Sequence, residues 1–170
     1  VENNQVQDVF SDIRKHSKLL DPVKAENYQV LMNLEEQIMK KHGIQRNEIT
    51  PIKYFYGIMS QLNTKTKYYR SLLYLLQLIL PKVEDGIKSS RFGNCVSVLM
   101  QVYTSNSEDM TGAAQRSLCD CVIQLLQTQK LKESVWSSKC VSDAFHFLLR
   151  LCITPKGKAR HFIQEDLTKL

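Results

Sequence analysis

Glycine is scarce in this sequence: six glycines stand at predicted turns or singly, and no glycine-rich phosphate-binding loop is present. The H-E-x-x-H, G-x-S-x-G and kinase signatures are also missing. The four histidines are scattered along the chain, at His16, His42, His146 and His161. Because no group of side chains converges on a substrate, we predict that the chain is not an enzyme. We expect no catalytic residue, metal site, cofactor or small-molecule substrate.

Long hydrophobic runs are missing as well. The longest apolar stretch runs from Leu72 to Leu80 and is interrupted by Gln77. It falls far short of the roughly 20 residues that a bilayer-spanning helix requires, so we expect no membrane contact. The sequence begins at Val1 rather than at methionine and stops at Leu170 inside a helical pattern. We therefore expect a piece of a longer protein.

Cysteine usage does not support a disulfide framework. The five cysteines are an odd number, and the chain is too long to need disulfides for its stability. Reduced thiols fit a cytosolic or nuclear compartment. Cys119 and Cys121 form a C-x-C pair on a predicted helix, where their side chains point about 200° apart. We therefore predict two small core residues rather than a metal site.

The charge balance is moderately basic. Lysine and arginine number 23 against 17 aspartates and glutamates, which gives a net charge of +6. Such a balance favours acidic partners such as RNA phosphates, although solvated surface charge is the more common origin of so modest an excess. The neighbouring carboxylates Glu35–Glu36 and Glu108–Asp109 point about 100° apart on a helix. We predict solvated surface for both pairs.

Apolar residues recur at helical spacing along almost the whole chain, and no stretch alternates as a strand does. Asp21-Pro22 and Thr50-Pro51 each place a capping residue before a proline, which marks a helix start. The pattern predicts eight helices: around Val6–Ile13, from Pro22 to Gly43, Pro51 to Asn63, Lys65 to Leu80, through Phe92–Tyr103 after a turn at Asp85–Gly86, from Met110 to Gln127, Ser137 to Thr154, and Lys158 to Leu167.

The fold class predicted by this pattern is all-α. Helix pairs recur about every 40 residues, which favours a stacked array of antiparallel pairs over a globular bundle. Residues 1–170 then form a single helical-repeat segment. Its fourth helix is apolar around much of its circumference, which indicates burial between neighbours. The seventh should bury one stripe, made of Cys140, Val141, Ala144, Phe145, Leu148, Leu149 and Cys152.

Several motifs resemble known repeat proteins. Val141–Leu149, followed by the run Thr154–Arg160, resembles the HEAT layout of a buried helix, a proline turn and basic residues that open the next helix. Tyr54–Met59, Leu73–Val83, Ser90–Phe92 and Val135–Trp136 are similar to the amino-terminal region of the ribosomal RNA processing protein 12 family. The resemblance covers about residues 49–170, whereas residues 1–48 match only as leading helices. Gly157 and Ala159 depart from the usual residues of the proline turn.

The resemblance implies a HEAT/armadillo-like, right-handed α-solenoid segment of a non-catalytic ribosome assembly factor. It implies a nuclear and nucleolar location with shuttling to the cytoplasm. The implied partners are ribosome precursor proteins, precursor ribosomal RNA and the nuclear export machinery, in small-subunit maturation and rRNA processing. The alternative is a karyopherin-type nuclear transport receptor that binds cargo or a small GTPase. Such receptors usually have acidic inner surfaces, whereas this segment is basic.

Two basic tracts are the candidate contacts for nucleic acid or for an acidic partner. The first, which we call the turn tract, interleaves Lys65, Lys67 and Arg70 with Tyr68 and Tyr69, a composition able to contact phosphates and stack a base. In the alternative, Tyr69 packs in the core and the cations only solubilise a helix start. The second, the basic ridge, gathers residues that lie together if the repeat turns align: Lys130, Lys132, Lys139, Lys156, Lys158, Arg160 and His161.

The basic ridge can be tested by charge reversal. If it contacts phosphates, Lys130→Glu combined with Lys158→Glu should weaken RNA binding strongly and leave thermal stability unchanged, because solvated charges contribute little to folding. Fluorescence anisotropy over a salt series measures the effect. Each lost phosphate contact should shallow the slope of log affinity against log salt by about 0.7 for a single strand. Unchanged affinity and slope would place the RNA contact elsewhere.

Overall fold

The structure is a computed structural model that describes residues 8–16, 21–129, 138–152, 164–165 and 167–168. Within these ranges the regular secondary structure is helical, with no strand, which confirms the all-α prediction. Two short 3₁₀ turns, Arg46–Glu48 and Leu80–Lys82, accompany the α-helices of the described ranges. The helices are α1 (Ser11–Arg14), α2 (Pro22–His42), α3 (Pro51–Leu62), α4 (Tyr69–Ile79), α5 (Asp85–Ser90), α6 (Phe92–Asn106), α7 (Gly112–Gln127) and α8 (Lys139–Cys152).

Helix α2 begins and ends where its sequence signals predict. The Asp21 carboxylate accepts hydrogen bonds from the backbone N–H groups of Val23 and Lys24, at 3.0 and 3.4 Å, and Pro22 is the first helical residue. At the other end Gly43 adopts the left-handed conformation, with φ of 63°, and its N–H bonds to Met39 O. Only glycine adopts this conformation without strain, so the helix stops there.

The helices form a stack of pairs. Helix α3 packs on α4 and α6 on α7, while α3 also meets α6 and α4 meets α7. Cys121 Sγ donates to Leu73 O over 3.8 Å, and Gln124 Nε2 donates to Gln77 O over 3.4 Å, so α4 and α7 run in the same direction. Helix α8 packs on α6 and α7 and extends the stack. Equivalent helices therefore recur about every 40 to 47 residues, as HEAT-like repeats require.

The core is centred on α4 and α7. Leu72, Leu73 and Leu75 of α4 are inaccessible to solvent, which confirms that this helix is buried between neighbours. Cys119 and Cys121 are both buried although they point in different directions, because α4, α6 and α8 together surround α7. Burial raises the pKa of Cys121 well above its ordinary value and that of Cys95 to about 11. Cys119 and Cys121 are therefore small core residues, as predicted for the C-x-C pair.

One predicted helix start and one predicted turn are wrong. Helix α4 begins at Tyr69 rather than at Lys65, because Thr66 Oγ1 accepts a hydrogen bond from Tyr68 N at 3.1 Å and holds a turn there. The predicted turn at Asp85–Gly86 instead opens the short helix α5. Lys88 anchors this helix: its buried Nζ lies 3.1 Å from Leu80 O and 3.1 Å from the Asp85 carboxylate.

The buried face of α8 differs from the predicted stripe. Cys140 and Leu149 are exposed, and the residues that pack inward are Val141, Ala144, Phe147, Leu148 and Leu151. That face is the one that meets α6 and α7, and Phe147 packs edge-on against Tyr103 with ring centroids 5.4 Å apart. The predicted Thr154–Pro155 turn and most of the predicted helix from Lys158 to Leu167 lie outside the described residues.

The prediction that Glu35 and Glu36 both lie on the solvated surface is wrong for Glu35. Glu35 is completely buried, whereas Glu36 is exposed. The Glu35 carboxylate receives both guanidinium ends of Arg14, at 2.5 and 3.1 Å, and Arg46 Nε at 2.6 Å. The Tyr54 hydroxyl donates to the same carboxylate at 3.0 Å. Burial, followed by the charge of Glu35, raises the pKa of Tyr54, so this hydroxyl stays a donor. Glu35 joins α1, α2, α3 and the Arg46 turn.

The first prediction from the fold concerns the core of α4. Leu76 is fully buried, so Leu76→Ala should lower the free energy of unfolding by about 2 to 5 kcal/mol through lost burial and a residual cavity. Leu149, 43% exposed on α8, supplies the control. Leu149→Ala should change the free energy of unfolding by less than about 0.5 kcal/mol. Chemical denaturation measures both, and equal effects of the two substitutions would contradict the described core.

The second prediction concerns the buried carboxylate. Glu35→Gln should lower the free energy of unfolding by about 3 kcal/mol, since it removes the charge that pairs two arginines. We expect the lower end of the usual range because both arginine side chains reach solvent. Glu36→Gln, the same chemical change one residue away on the exposed face, should cost less than about 0.5 kcal/mol. A small effect at position 35 in urea denaturation would refute the role of Glu35.

Candidate functional site

Lys65 and Lys67 of the turn tract line a cleft of about 430 Å³. The α3–α4 turn forms one wall and the C-terminal part of α6 the other. Among the described residues no carboxylate lines it, and the remaining lining residues are Leu62, Asn63, Thr64, Thr66, Tyr69, Gln101, Val102, Ser105 and Asn106. The cleft therefore presents two cations beside hydroxyl and amide groups, the side chains that bind phosphate oxygens.

Local hydrogen bonds position the two lysines. Thr64 Oγ1 donates to Gln61 O at 2.7 Å, and Thr66 Oγ1 accepts from Tyr68 N at 3.1 Å, so the turn is held at both ends. Both lysines are exposed, and neither pairs with a carboxylate in the part of the chain that is described. Their ammonium groups remain available to a ligand.

The two tyrosines of the turn tract have different roles. Tyr69 is only 6% exposed and belongs to the core, as the alternative interpretation of this tract predicts. Tyr68 is 41% exposed, and the Lys67 ammonium lies 5.1 Å from its ring centroid. Only Tyr68 can therefore stack on a base, and the cation already interacts with its ring.

Arg70 is engaged within the chain rather than lining the cleft. Its Nη2 donates to Asp109 O at 2.7 Å, and its Nε donates to the Tyr69 hydroxyl at 3.2 Å. The hydrogen bond with Tyr69 is the main reason that the pKa of Arg70 is raised. These contacts fasten the start of α4 to the loop between α6 and α7. Lys65 and Lys67 thus carry whatever contact this tract makes in the cleft.

Of the basic ridge, the structure describes only Lys139, which is exposed at the start of α8. The next residue, Cys140, lies beside Gly93 near the start of α6, whereas the cleft is at the end of α6. A helix of that length separates the two places by roughly 20 Å. The other predicted members lie outside the described residues: Lys130, Lys132, Lys156, Lys158, Arg160 and His161. The ridge stays a prediction.

Groups suited to hold a metal ion do not converge in the described part of the chain. No three side chains among its histidines, cysteines, aspartates and glutamates could hold a metal ion. His146 Nδ1 bonds within its own helix, 2.8 Å from Ser142 O. None of the described helices is both long and apolar enough to span a membrane.

Two features escaped the sequence analysis. Glu35 sits in the apolar stripe of α2, between Leu31 and Ile38, and a carboxylate in such a stripe signals a buried cation. A basic groove between α2 and α3 brings together Lys41, Lys53 and Arg91, which are too far apart in sequence to form a motif.

Comparison with known proteins identifies the family. A family model described as "RRP12-like, N-terminal HEAT repeats" matches residues 24–170. An RRP12-like protein from Gallus gallus is 26% identical over 120 residues, which are 69% of this chain and 9% of that relative. The chain thus spans about 9% of the relative's length, and no solved structure matches. These findings confirm the resemblance, and the chain belongs to the RRP12-like family, in its region of N-terminal HEAT repeats.

Proposed function

We propose that this chain is a non-catalytic scaffold segment of a ribosome assembly factor. It binds proteins and RNA of small-subunit precursors in the nucleus and nucleolus, during rRNA processing and nuclear export. The family match over residues 24–170 is the observation that carries the proposal. The same match favours this role over the transport-receptor alternative. Because the chain spans only about 9% of its relative's length, the segment would contribute one binding surface to a longer protein.

The arrangement of helices supports binding along surfaces rather than in an enclosed site. Helices α4 and α7 fill the space between the pairs with buried side chains. A stack of this kind offers its outward faces, turns and helix ends to partners. Contact without a chemical step is the mechanism that such a stack supports.

The cleft is the proposed RNA contact. Lys65 and Lys67 stand on one held turn without carboxylate partners among the described residues, so an RNA phosphate replaces only water and counterions there. Releasing counterions from RNA favours binding and makes it depend on salt. Exposed Tyr68 adds a ring beside them. This contact is largely independent of base sequence, as suits a scaffold on a folded RNA.

Charge reversal at the cleft tests the RNA contact. Lys65→Glu with Lys67→Glu should lower affinity for single-stranded oligouridylate at least about tenfold and shallow the log–log salt slope by about 1.4, for two phosphates. The control is Lys24→Glu with Lys40→Glu, the same charge change at exposed positions of α2. Fluorescence anisotropy measures both, and equal losses would indicate only a long-range effect of net charge.

The full-length protein provides the test of the assembly role. It should sediment with small-subunit precursors, and ultraviolet crosslinking should place RNA on residues 63–69. With both cleft lysines reversed, the crosslinks there should disappear. Crosslinks confined to other regions would leave this segment as a protein-binding scaffold. Absence of the full-length protein from the precursor fractions would contradict the assembly role itself.

A further inference from the structure

A second surface opening lies between α2 and α3. It is a groove of about 380 Å³, and Arg91, between α5 and α6, closes its third side. On α2 it extends from Leu34 to His42, which corresponds to roughly 12 Å of helix. An extended chain of about four residues covers such a distance. The groove is therefore suited to a short segment lying along the seam of the two helices.

The walls of this groove are basic. Lys41, His42, Lys53 and Arg91 contribute to its lining, and no carboxylate of the described part of the chain does. None of these four side chains forms an ion pair with a carboxylate in the described ranges. They come from three separate parts of the chain, so the fold itself concentrates positive charge there. A low-dielectric wall with unpaired cations attracts an anionic ligand.

The floor of the groove is apolar. Gly57 of α3 faces α2, and a Cβ atom at this position would lie 3.0 Å from Leu34 Cδ1 and 3.2 Å from Ile38 Cδ1. The absent side chain lets the two helices approach closely. The opening above this point is lined by Gly57 and the two aliphatic side chains. An aliphatic group of a ligand can pack there.

The amide groups of the groove favour a peptide. The Arg91 guanidinium lies over the Tyr56 ring, 5.5 Å from its centroid, and this contact holds the cation at the side of the groove. At the far end Gln61 Nε2 donates to Gln37 Oε1 at 2.9 Å. The Gln37 Nε2 hydrogens and the side-chain oxygen of Gln61, Oε1, remain to bond a peptide backbone.

We propose that this groove binds an extended acidic segment of a partner protein. Its carboxylates pair with Lys41, Lys53 and Arg91, and an aliphatic side chain between them packs over Gly57. Charge complementarity selects the acidic residues, and the aliphatic floor distinguishes a peptide from a bare polyanion. The inference rests on the proposed scaffold role, because it names the chemistry of one of the protein partners. It does not depend on the RNA contact at the cleft.

The test uses a labelled peptide of roughly ten residues in which glutamate and leucine alternate. In an extended conformation such a peptide is about three times as long as the groove. A second peptide carries glutamine in place of glutamate. Lys41→Glu with Lys53→Glu should weaken binding of the acidic peptide at least about tenfold, or about 1.4 kcal/mol. Fluorescence anisotropy at physiological salt measures the affinity. The glutamine peptide should bind weakly to all forms of the chain.

The control variant is again Lys24→Glu with Lys40→Glu. Each pair of substitutions reverses one lysine in the first turn of a helix and one in the last turn of α2, so net charge and helix-dipole effects are matched. The control should change peptide affinity less than about twofold. Thermal melting of both variants verifies that they are folded, and Arg91→Gln provides a milder change that should also weaken binding.

The outcomes separate this inference from the proposed function. Failure of the acidic peptide to bind, or equal weakening by the groove and control variants, would overturn the inference. Oligouridylate binding that falls with the groove variant, with no peptide binding, would make the groove a nucleic-acid surface and would overturn it as well. Loss of RNA binding in the cleft variant alone bears only on the proposed RNA contact. Weaker binding of the acidic peptide in the groove variants, with unchanged binding in the control variant, supports the inference.

Discussion

The contact between α4 and α7 is the constraint on which the rest of the structure depends. Each of these helices is apolar around most of its circumference, so neither can be covered by the one partner of its own pair. Placed side by side in the same direction, they bury each other and leave α3 and α6 to complete the outer layer. The repeat unit is therefore not independent of its neighbours, which is why a single helix pair of this kind cannot be stable alone.

The carboxylate of Glu35 provides a different kind of constraint, because it determines where the leading helix lies. Hydrophobic contacts of Phe10 and Ile13 would bring α1 to the core without specifying its orientation. Arg14 reaches one side of the carboxylate and Arg46 another, while Tyr54 donates to it from α3. An ion pair contributes less net stability than a well-packed apolar group, but it penalises every arrangement that leaves the buried charge unpaired. The Glu35 carboxylate thereby holds four segments in one arrangement.

Local sequence signals predicted most of the fold, and long-range contacts account for what they missed. Asp21-Pro22 and Gly43 act within one turn, so they correctly predicted the ends of α2. The inward face of α8 depends on the positions of α6 and α7. The apolar stripe predicted from the sequence, which included the exposed Leu149, contained no information on those positions. The cleft lysines were found because they are neighbours in sequence. The groove was missed because Lys41, Lys53 and Arg91 converge only after folding.

Net charge alone would describe this surface poorly. An excess of six positive charges spread evenly over the chain would attract anions weakly and without preference. Instead, two openings near opposite ends of α6 collect lysines away from carboxylates, while Arg14, Arg46 and Lys88 are used in internal contacts. The cations that fold the chain and those that remain for partners are thus different residues. Because the second set contributes little to stability, its charges can be matched to a partner without weakening the core that positions them.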